Sequence, residues 1–89
     1  MFEIKYTDKF IKQLNKIDPN DKRLIVNWIN KNLDNTDNPY KTGKALVGNL
    51  KGLWRYRIGK YRVIVKIENQ VLEIYLLRLG LRKDIYKQG

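Results

Sequence analysis

A hairpin in the second half of the chain decides the fold: residues 54–68 read WRYRIGKYRVIVKIE. Apolar residues alternate with basic and other residues on both sides of residues 59–60, as in two strands joined by a two-residue turn. This turn places Arg57 directly opposite Arg62. We predict a second two-residue turn at 69–70 and a third strand after it, so the second half forms an antiparallel sheet.

Counting outward from these two turns assigns each strand residue to one face of the sheet. One face is almost purely apolar, and we expect two helices to cover it. It holds Trp54, Tyr56, Ile58, Tyr61, Val63, Val65, Ile67, Leu72, Ile74 and Leu76. The opposite face holds Arg55, Arg57, Arg62, Ile64, Lys66, Glu73, Tyr75 and Leu77. On this second face the count pairs Lys66 with Glu73, which compensates their charges.

The first half of the chain indicates one strand, at residues 2–6, and two helices. Thr7 is the expected N-cap of the first helix, which is predicted to end at Asp18-Pro19; the same pair is expected to begin the second helix. Their apolar stripes are Phe10, Ile11, Leu14 and Ile17 in the first helix, and Leu24, Ile25, Trp28, Ile29 and Leu33 in the second. Residues 34–43 read as a loop. The prediction is one α+β domain over residues 1–89, an antiparallel sheet of about four strands with two N-terminal helices packed on one face.

Positive charge is concentrated in the second half. The formal net charge is +10, and residues 41–66 contain eight basic residues and no carboxylate. Such a distribution is typical either of a solvated face or of a surface that binds a polyanion. The predicted register favours the second, because opposed like charges destabilise a ladder and no acid is in register with Arg57 and Arg62. Guanidinium forks match phosphate oxygens, so we predict a phosphate-binding face that also includes Arg55.

The composition excludes several kinds of chemistry. The chain has no cysteine and no histidine, which removes disulfides, thiolate nucleophiles, Cys-ligated zinc and the most common general base. No apolar run approaches the ~20 residues of a membrane helix, and residues 1–5 do not resemble a signal peptide. We therefore expect a cytoplasmic protein that uses no metal and no other cofactor.

Two motifs carry a resemblance to a known family. Residues 46–63, LVGNLKGLWRYRIGKYRV, and residues 80–86, GLRKDIY, are separated by a hydrophobic strand and resemble the RelE/ParE superfamily of bacterial and archaeal toxins. The strand–helix–helix order before them also fits, so the resemblance covers nearly the whole chain. It implies a toxin of a type II toxin–antitoxin pair, with a cognate acidic antitoxin as partner.

The resemblance also implies an activity and its residues. RelE-like members cleave messenger RNA on the ribosome without a metal, by attack of a 2′-hydroxyl on the adjacent phosphate, whereas ParE-like members inhibit DNA gyrase. The implied catalytic residues are Arg55, Arg57, Arg62, Arg82 and Tyr86. The basic residues expected to contact RNA around them are Lys44, Lys51, Lys60, Lys83 and Lys87. The general base stays unassigned, because Leu81 stands where many relatives have histidine and an arginine with a pKa above ~12 is a poor base.

Three functions follow as alternatives. The first is a ribosome-dependent endoribonuclease, which the combination of four arginines and Tyr86 favours. The second is a ParE-like inhibitor of DNA gyrase, which has no need of that set. The third is a non-catalytic domain that binds RNA or the ribosome, which Leu81 and the absence of histidine favour.

Overall fold

A computed structural model describes residues 1–82, which form two helices and a five-stranded sheet. The elements are β1 (Glu3–Tyr6), α1 (Asp8–Leu14), α2 (Pro19–Asn32), β2 (Lys44–Ala45), a 3-10 helix (Gly48–Leu50), β3 (Trp54–Ile58), β4 (Tyr61–Glu68) and β5 (Glu73–Leu81). The sheet order is β1-β5-β4-β3-β2. The β1–β5 pair is parallel and the other three pairs are antiparallel. The predicted α+β class is confirmed, with one short strand more than expected.

Both helices begin where their capping residues predict. The Thr7 side chain accepts a hydrogen bond from the Phe10 amide at 3.2 Å, and Asp18 Oδ1 accepts one from the Asn20 amide at 2.7 Å. Helix α1 is shorter than predicted, because it ends at Leu14 and leaves Ile17 outside the helix. Asparagine at the following position competes for backbone hydrogen bonds, and Pro19 disfavours helical geometry at the residue before it.

The two helices pack on one face of the sheet and form a single hydrophobic core. Its fully buried members are Phe10, Ile25, Ile29, Leu33, Tyr56, Val63, Val65, Ile74 and Leu76. Two residues of the predicted helix stripes lie outside it: Ile11 is 40% exposed and Leu24 is 55% exposed. Each lies about 100° around its helix from a fully buried neighbour, so the stripe that faces the sheet is narrower than predicted.

The turn at residues 59–60 has the predicted register. Ile58 pairs with Tyr61, and Arg57 pairs with Arg62. Gly59 adopts φ +59°, the left-handed geometry that tight hairpin turns require.

The second turn was predicted wrongly. It spans residues 69–72, so Glu68 pairs with Glu73 and Lys66 lies opposite Tyr75. A two-residue type I′ turn at 69–70 would need positive φ at two residues that both carry a Cβ, whereas the longer loop confines positive φ to Leu72, at +54°. The loop also lets the Leu72 carbonyl accept a hydrogen bond from the Glu3 amide at 2.8 Å, where β1 joins the sheet. Leu72 is consequently 42% exposed and does not belong to the core face.

A register shift divides β5. Ile64 pairs with Arg78, but the next residue of β4, Val65, pairs with Leu76, so Leu77 is an extra residue on β5. This bulge exchanges the two faces for the rest of the strand. Leu79 is therefore buried in the core, and Arg78 lies on the face away from the helices.

Over residues 1–82, no helix combines the length and the apolar character needed to cross a bilayer.

Candidate active site

The sheet face away from the helices, here called the basic face, carries its arginines in two cross-strand rows. The first row contains Arg57, Arg62 and Gly80. The second row contains Lys44, Arg55, Ile64 and Arg78. Because side chains on one face recur every second residue, the two rows are about 6.6 Å apart along the strands. The first row holds what we call the arginine pair, Arg57 and Arg62.

The second row has an apolar floor. Ile64 is completely buried although it lies on the basic face, and it is not part of the main core cluster. Its partners across the ladder, Arg55 and Arg78, are both partly buried. The aliphatic stems of arginine pack well on such a surface while their charged ends stay hydrated. An apolar floor also lowers the local dielectric, which strengthens the attraction between a guanidinium and a bound anion.

A cavity of about 500 Å³ opens beside the arginine pair. Its described lining consists of Lys60, Arg62, Leu81 and Arg82. The Arg82 amide donates a 3.1 Å hydrogen bond to the Lys60 carbonyl, which holds Arg82 next to the turn between β3 and β4. Three of these four residues are cations, so the cavity suits a phosphate and the groups attached to it.

Asp21 links this turn to helix α2. Its carboxylate accepts a 2.8 Å hydrogen bond from the Tyr61 hydroxyl and lies 3.7 Å from Lys60 Nζ. Burial, followed by the hydrogen bond to Asp21, raises the pKa of Tyr61. Tyr61 therefore keeps its proton at neutral pH and cannot act as a general base there. Leu81, which pairs with Tyr61 across the ladder, has no titratable group.

The carboxylates of the sheet lie at its other end. Glu73 is 3.6 Å from Lys5 Nζ, and Glu68 is 3.4 Å from Lys66 Nζ. Tyr75 donates a 2.7 Å hydrogen bond to Glu73; this bond, followed by burial, raises the pKa of Tyr75. Charge is thus compensated around the 69–72 loop, while the end with the arginine pair is strongly positive.

The structure brings together most of the predicted site residues that it describes. The basic face contains Arg55, Arg57 and Arg62. The cavity beside it is lined by Arg82 and Lys60. Lys44, in β2, pairs with Arg55 of β3. Lys51 is exposed on the loop before β3 and is not part of the described lining of this cavity. Tyr86, Lys83 and Lys87 lie outside the described residues.

Arg78 is a member of the basic face that counting along the sequence missed. An uninterrupted alternation from Glu73 places Arg78 among the core residues, and only the bulge brings it to the other face. The sequence does carry a signal, because Leu76 and Leu77 are consecutive apolar residues and interrupt the alternation where the bulge occurs.

Comparison with known proteins gives concordant matches. The family model for the ParE toxin of type II toxin–antitoxin systems matches residues 4–86. Toxin RelG of Mycobacterium tuberculosis is 26% identical over 87 residues, which cover 98% of each chain. A chain in the crystal structure of the RelBE2 toxin–antitoxin complex from the same organism matches with a TM-score of 0.82 and 25% identity over 93% of each chain. The isolated RelE toxin of E. coli has a TM-score of 0.70 at 10% identity, covering 99% of this chain and 94% of that one, and this likeness shows the fold alone.

Proposed function

Because the chain belongs to the ParE toxin family of type II toxin–antitoxin systems, within the RelE/ParE superfamily, we propose that it is a RelE-like endoribonuclease that cleaves messenger RNA on the ribosome. In the proposed reaction, a ribose 2′-oxygen forms a bond to the adjacent phosphorus as its proton leaves. The bond from phosphorus to the 5′-oxygen of the next nucleotide breaks, and that oxygen takes up a proton. The products are a 2′,3′-cyclic phosphate and a free 5′-hydroxyl.

One observation carries this proposal: two arginines face each other across the β3–β4 ladder on an open sheet face. Opposed like charges destabilise a ladder, but a phosphate bound between them would be held by two guanidinium forks. Negative charge on the phosphate oxygens increases as the phosphorane forms. Fixed positive charges therefore stabilise the transition state more than the ground state, which is the requirement for catalysis.

The proposed roles follow from position. Arg57 and Arg62 bind the scissile phosphate, and Arg82, which lines the same cavity as Arg62, stabilises charge on the leaving 5′-oxygen. Arg55 and Arg78, in the second row, face the neighbouring phosphate of the same strand. Tyr86 is proposed to stack on a base, and its role rests on the resemblance alone.

The ribosome is proposed to supply what this site lacks. None of the described residues of the arginine pair and its cavity is a good proton acceptor at neutral pH. These residues are Arg57, Lys60, Arg62, Leu81 and Arg82. Fixed charge accelerates the reaction only when the 2′-oxygen is aligned with the leaving group. A ribosome that bends the bound message would provide this alignment.

A cognate antitoxin is the proposed inhibitor. Structurally similar chains come from toxin–antitoxin complexes, which supports such a partner. An acidic segment would complement the basic face and exclude RNA from it. The toxin and its target would meet in the cytoplasm, where translating ribosomes are found.

The test compares naked and ribosome-bound message. Purified protein, freed of antitoxin, is incubated with one messenger RNA in excess chelator, either free or held on translating ribosomes, and cleavage is mapped by primer extension. We expect cleavage on ribosomes only, and none with Arg82→Ala. Cleavage of naked RNA that requires a divalent metal would contradict the proposal, as would intact message in both settings.

Gyrase inhibition is the second candidate, since the matching family model is that of ParE toxins. A supercoiling assay with purified DNA gyrase separates the two functions. Inhibition of gyrase together with intact ribosome-bound message would favour this second candidate.

A further inference from the structure

A second cavity, of about 240 Å³, opens at the β3 edge of the basic face. Its lining combines Trp28 of α2, residues 42–44 and residues 55–57. The cavity exists because β2 is short: its two residues pair with Trp54 and Arg55 only, so the edge of β3 is open beyond that point.

The walls of this cavity are held in place by specific contacts. The Trp54 indole donates a 2.8 Å hydrogen bond to the Thr42 carbonyl. Gly43 follows with φ +86°, and a Cβ at this position would overlap the Arg55 carbonyl oxygen. Only glycine therefore lets residues 42–44 approach β3 so closely. On the inner side, the buried Tyr56 hydroxyl donates a 2.6 Å hydrogen bond to the Pro39 carbonyl. A cavity with fixed walls binds its ligand with a smaller loss of conformational entropy.

The lining has the chemistry of a nucleotide site. The partly exposed Trp28 ring lies 5.4 Å from the Tyr56 ring, centroid to centroid, and is supported by it. Lys44, Arg55 and Arg57 supply positive charge, and the described lining contains no carboxylate. An aromatic plane beside guanidinium groups is how proteins bind single-stranded RNA, with the base stacked on the ring and the phosphates on the cations. The volume suits one base.

Arg57 connects this cavity with the proposed active site, because it lines the cavity and also belongs to the arginine pair. An RNA strand whose phosphate lies between Arg57 and Arg62 would therefore have its neighbouring nucleotide at the edge of β3. We propose that the cavity binds the base of this neighbouring nucleotide, with Trp28 as the stacking surface. The proposal rests on the proposed function for the identity of the ligand. It makes Trp28 a binding residue for the nucleotide beside the cut.

Binding can be tested without cleavage. The probe is a short single-stranded oligoribonucleotide with a 2′-deoxyribose at the scissile position, titrated against the purified toxin while tryptophan fluorescence is recorded. The wild type contains Trp28 and Trp54, and Trp28→Phe retains Trp54 only. We expect saturable quenching in the wild type and none in Trp28→Phe. Equal quenching in the two proteins would overturn the proposal.

Affinity provides an independent measurement. We expect Trp28→Leu, or an abasic residue at the neighbouring position of the probe, to weaken binding about tenfold. The matched control is Tyr6→Leu, which removes another partly exposed ring, on β1 at the opposite edge of the sheet, that does not line this cavity, and it should leave the affinity unchanged. Circular dichroism and thermal unfolding verify that each variant is folded. Equal losses in Trp28→Leu and Tyr6→Leu would also overturn the proposal.

The outcomes for the two proposals are distinguishable. Normal quenching without ribosome-dependent cleavage would contradict the proposed function and leave the base-binding cavity standing. Ribosome-dependent cleavage with no quenching, and with full affinity in Trp28→Leu, would contradict the cavity and leave the proposed function standing.

Discussion

At the scale of single residues, the proposed binding role of the arginine pair conflicts with the stability of the sheet. The Arg57–Arg62 register places two positive charges directly opposite each other on neighbouring strands. Cross-strand pairs change stability by roughly 0.2–1 kcal/mol, so the repulsion is tolerable in a sheet with a well-packed opposite face. The proposed phosphate site accounts for this arrangement.

Removing either member of the arginine pair should separate activity from stability. We expect Arg57→Ala and Arg62→Ala to abolish growth inhibition, since each removes half of the phosphate site. Their thermal unfolding midpoints should be unchanged or slightly higher, because the repulsion is relieved. Growth assays and thermal unfolding measure the two effects. The control is Lys66→Ala. In the wild type, Lys66 lies on the same face with its ammonium 3.4 Å from Glu68. This variant should remain toxic. An unfolded Arg57 or Arg62 variant, or a fully toxic one, would remove the basis for the site.

At the scale of secondary-structure elements, two hairpins show what can be predicted from sequence. The turn at 59–60 contains a glycine that accepts positive φ, so the register of the arginine pair follows directly from the sequence. The 69–72 loop contains no glycine, and its length depends on β1, which binds Leu72 from the other end of the chain. Local patterns contain no information on such a contact. The grouping of Arg55, Arg57 and Arg62 was therefore predictable, whereas the partner of Lys66 was not.

We expect the bulge in β5 to affect RNA binding. It moves Arg78 to the second row of the basic face. Arg78→Ala should therefore weaken RNA binding for all sequences. The loss of one phosphate contact should also reduce the slope of log affinity against log salt concentration by about 1. The matched control, Arg23→Ala, also removes one positive charge, but from an exposed position on α2 where the guanidinium contacts Asn20. Filter binding of a single-stranded oligonucleotide at several salt concentrations compares the two. The same slope in both variants would show that Arg78 makes no phosphate contact.

At the scale of the whole molecule, buried tyrosines connect the core with the loops around the site. Tyr56 is completely buried, and its hydroxyl reaches the Pro39 carbonyl in the loop after α2. Burial is the main cause that raises the pKa of Tyr56 far above its ordinary value of 10.0. The neutral phenol is therefore a requirement of the folded state.

This requirement predicts alkaline instability. Above about pH 10 the unfolded chain loses its tyrosine protons, whereas the folded chain retains that of Tyr56, so the free energy of unfolding should decrease as the pH rises. Below that pH the stabilisation is complete. Tyr56→Phe removes the hydrogen bond to Pro39, so its free energy of unfolding at pH 7 should be lower by about 1 kcal/mol. In alkali, its free energy of unfolding should decrease less steeply with pH than that of the wild type. Urea unfolding at a series of pH values measures both effects, and parallel curves for the two proteins would contradict the prediction.

The parallel pairing of β1 with β5 also bears on how the protein is made. Thr7 Oγ1, directly after β1, donates a 2.6 Å hydrogen bond to the carbonyl of Leu76, 69 residues later. Contacts this distant in sequence form only after the intervening chain has emerged, so they come late in folding. The second row and the cavity beside the arginine pair also need β5 and the residue after it, Arg82. While those residues are still inside the exit tunnel, the nascent chain has not assembled the proposed site, so the proposed cleavage of messenger RNA cannot begin on the ribosome that is synthesising this chain.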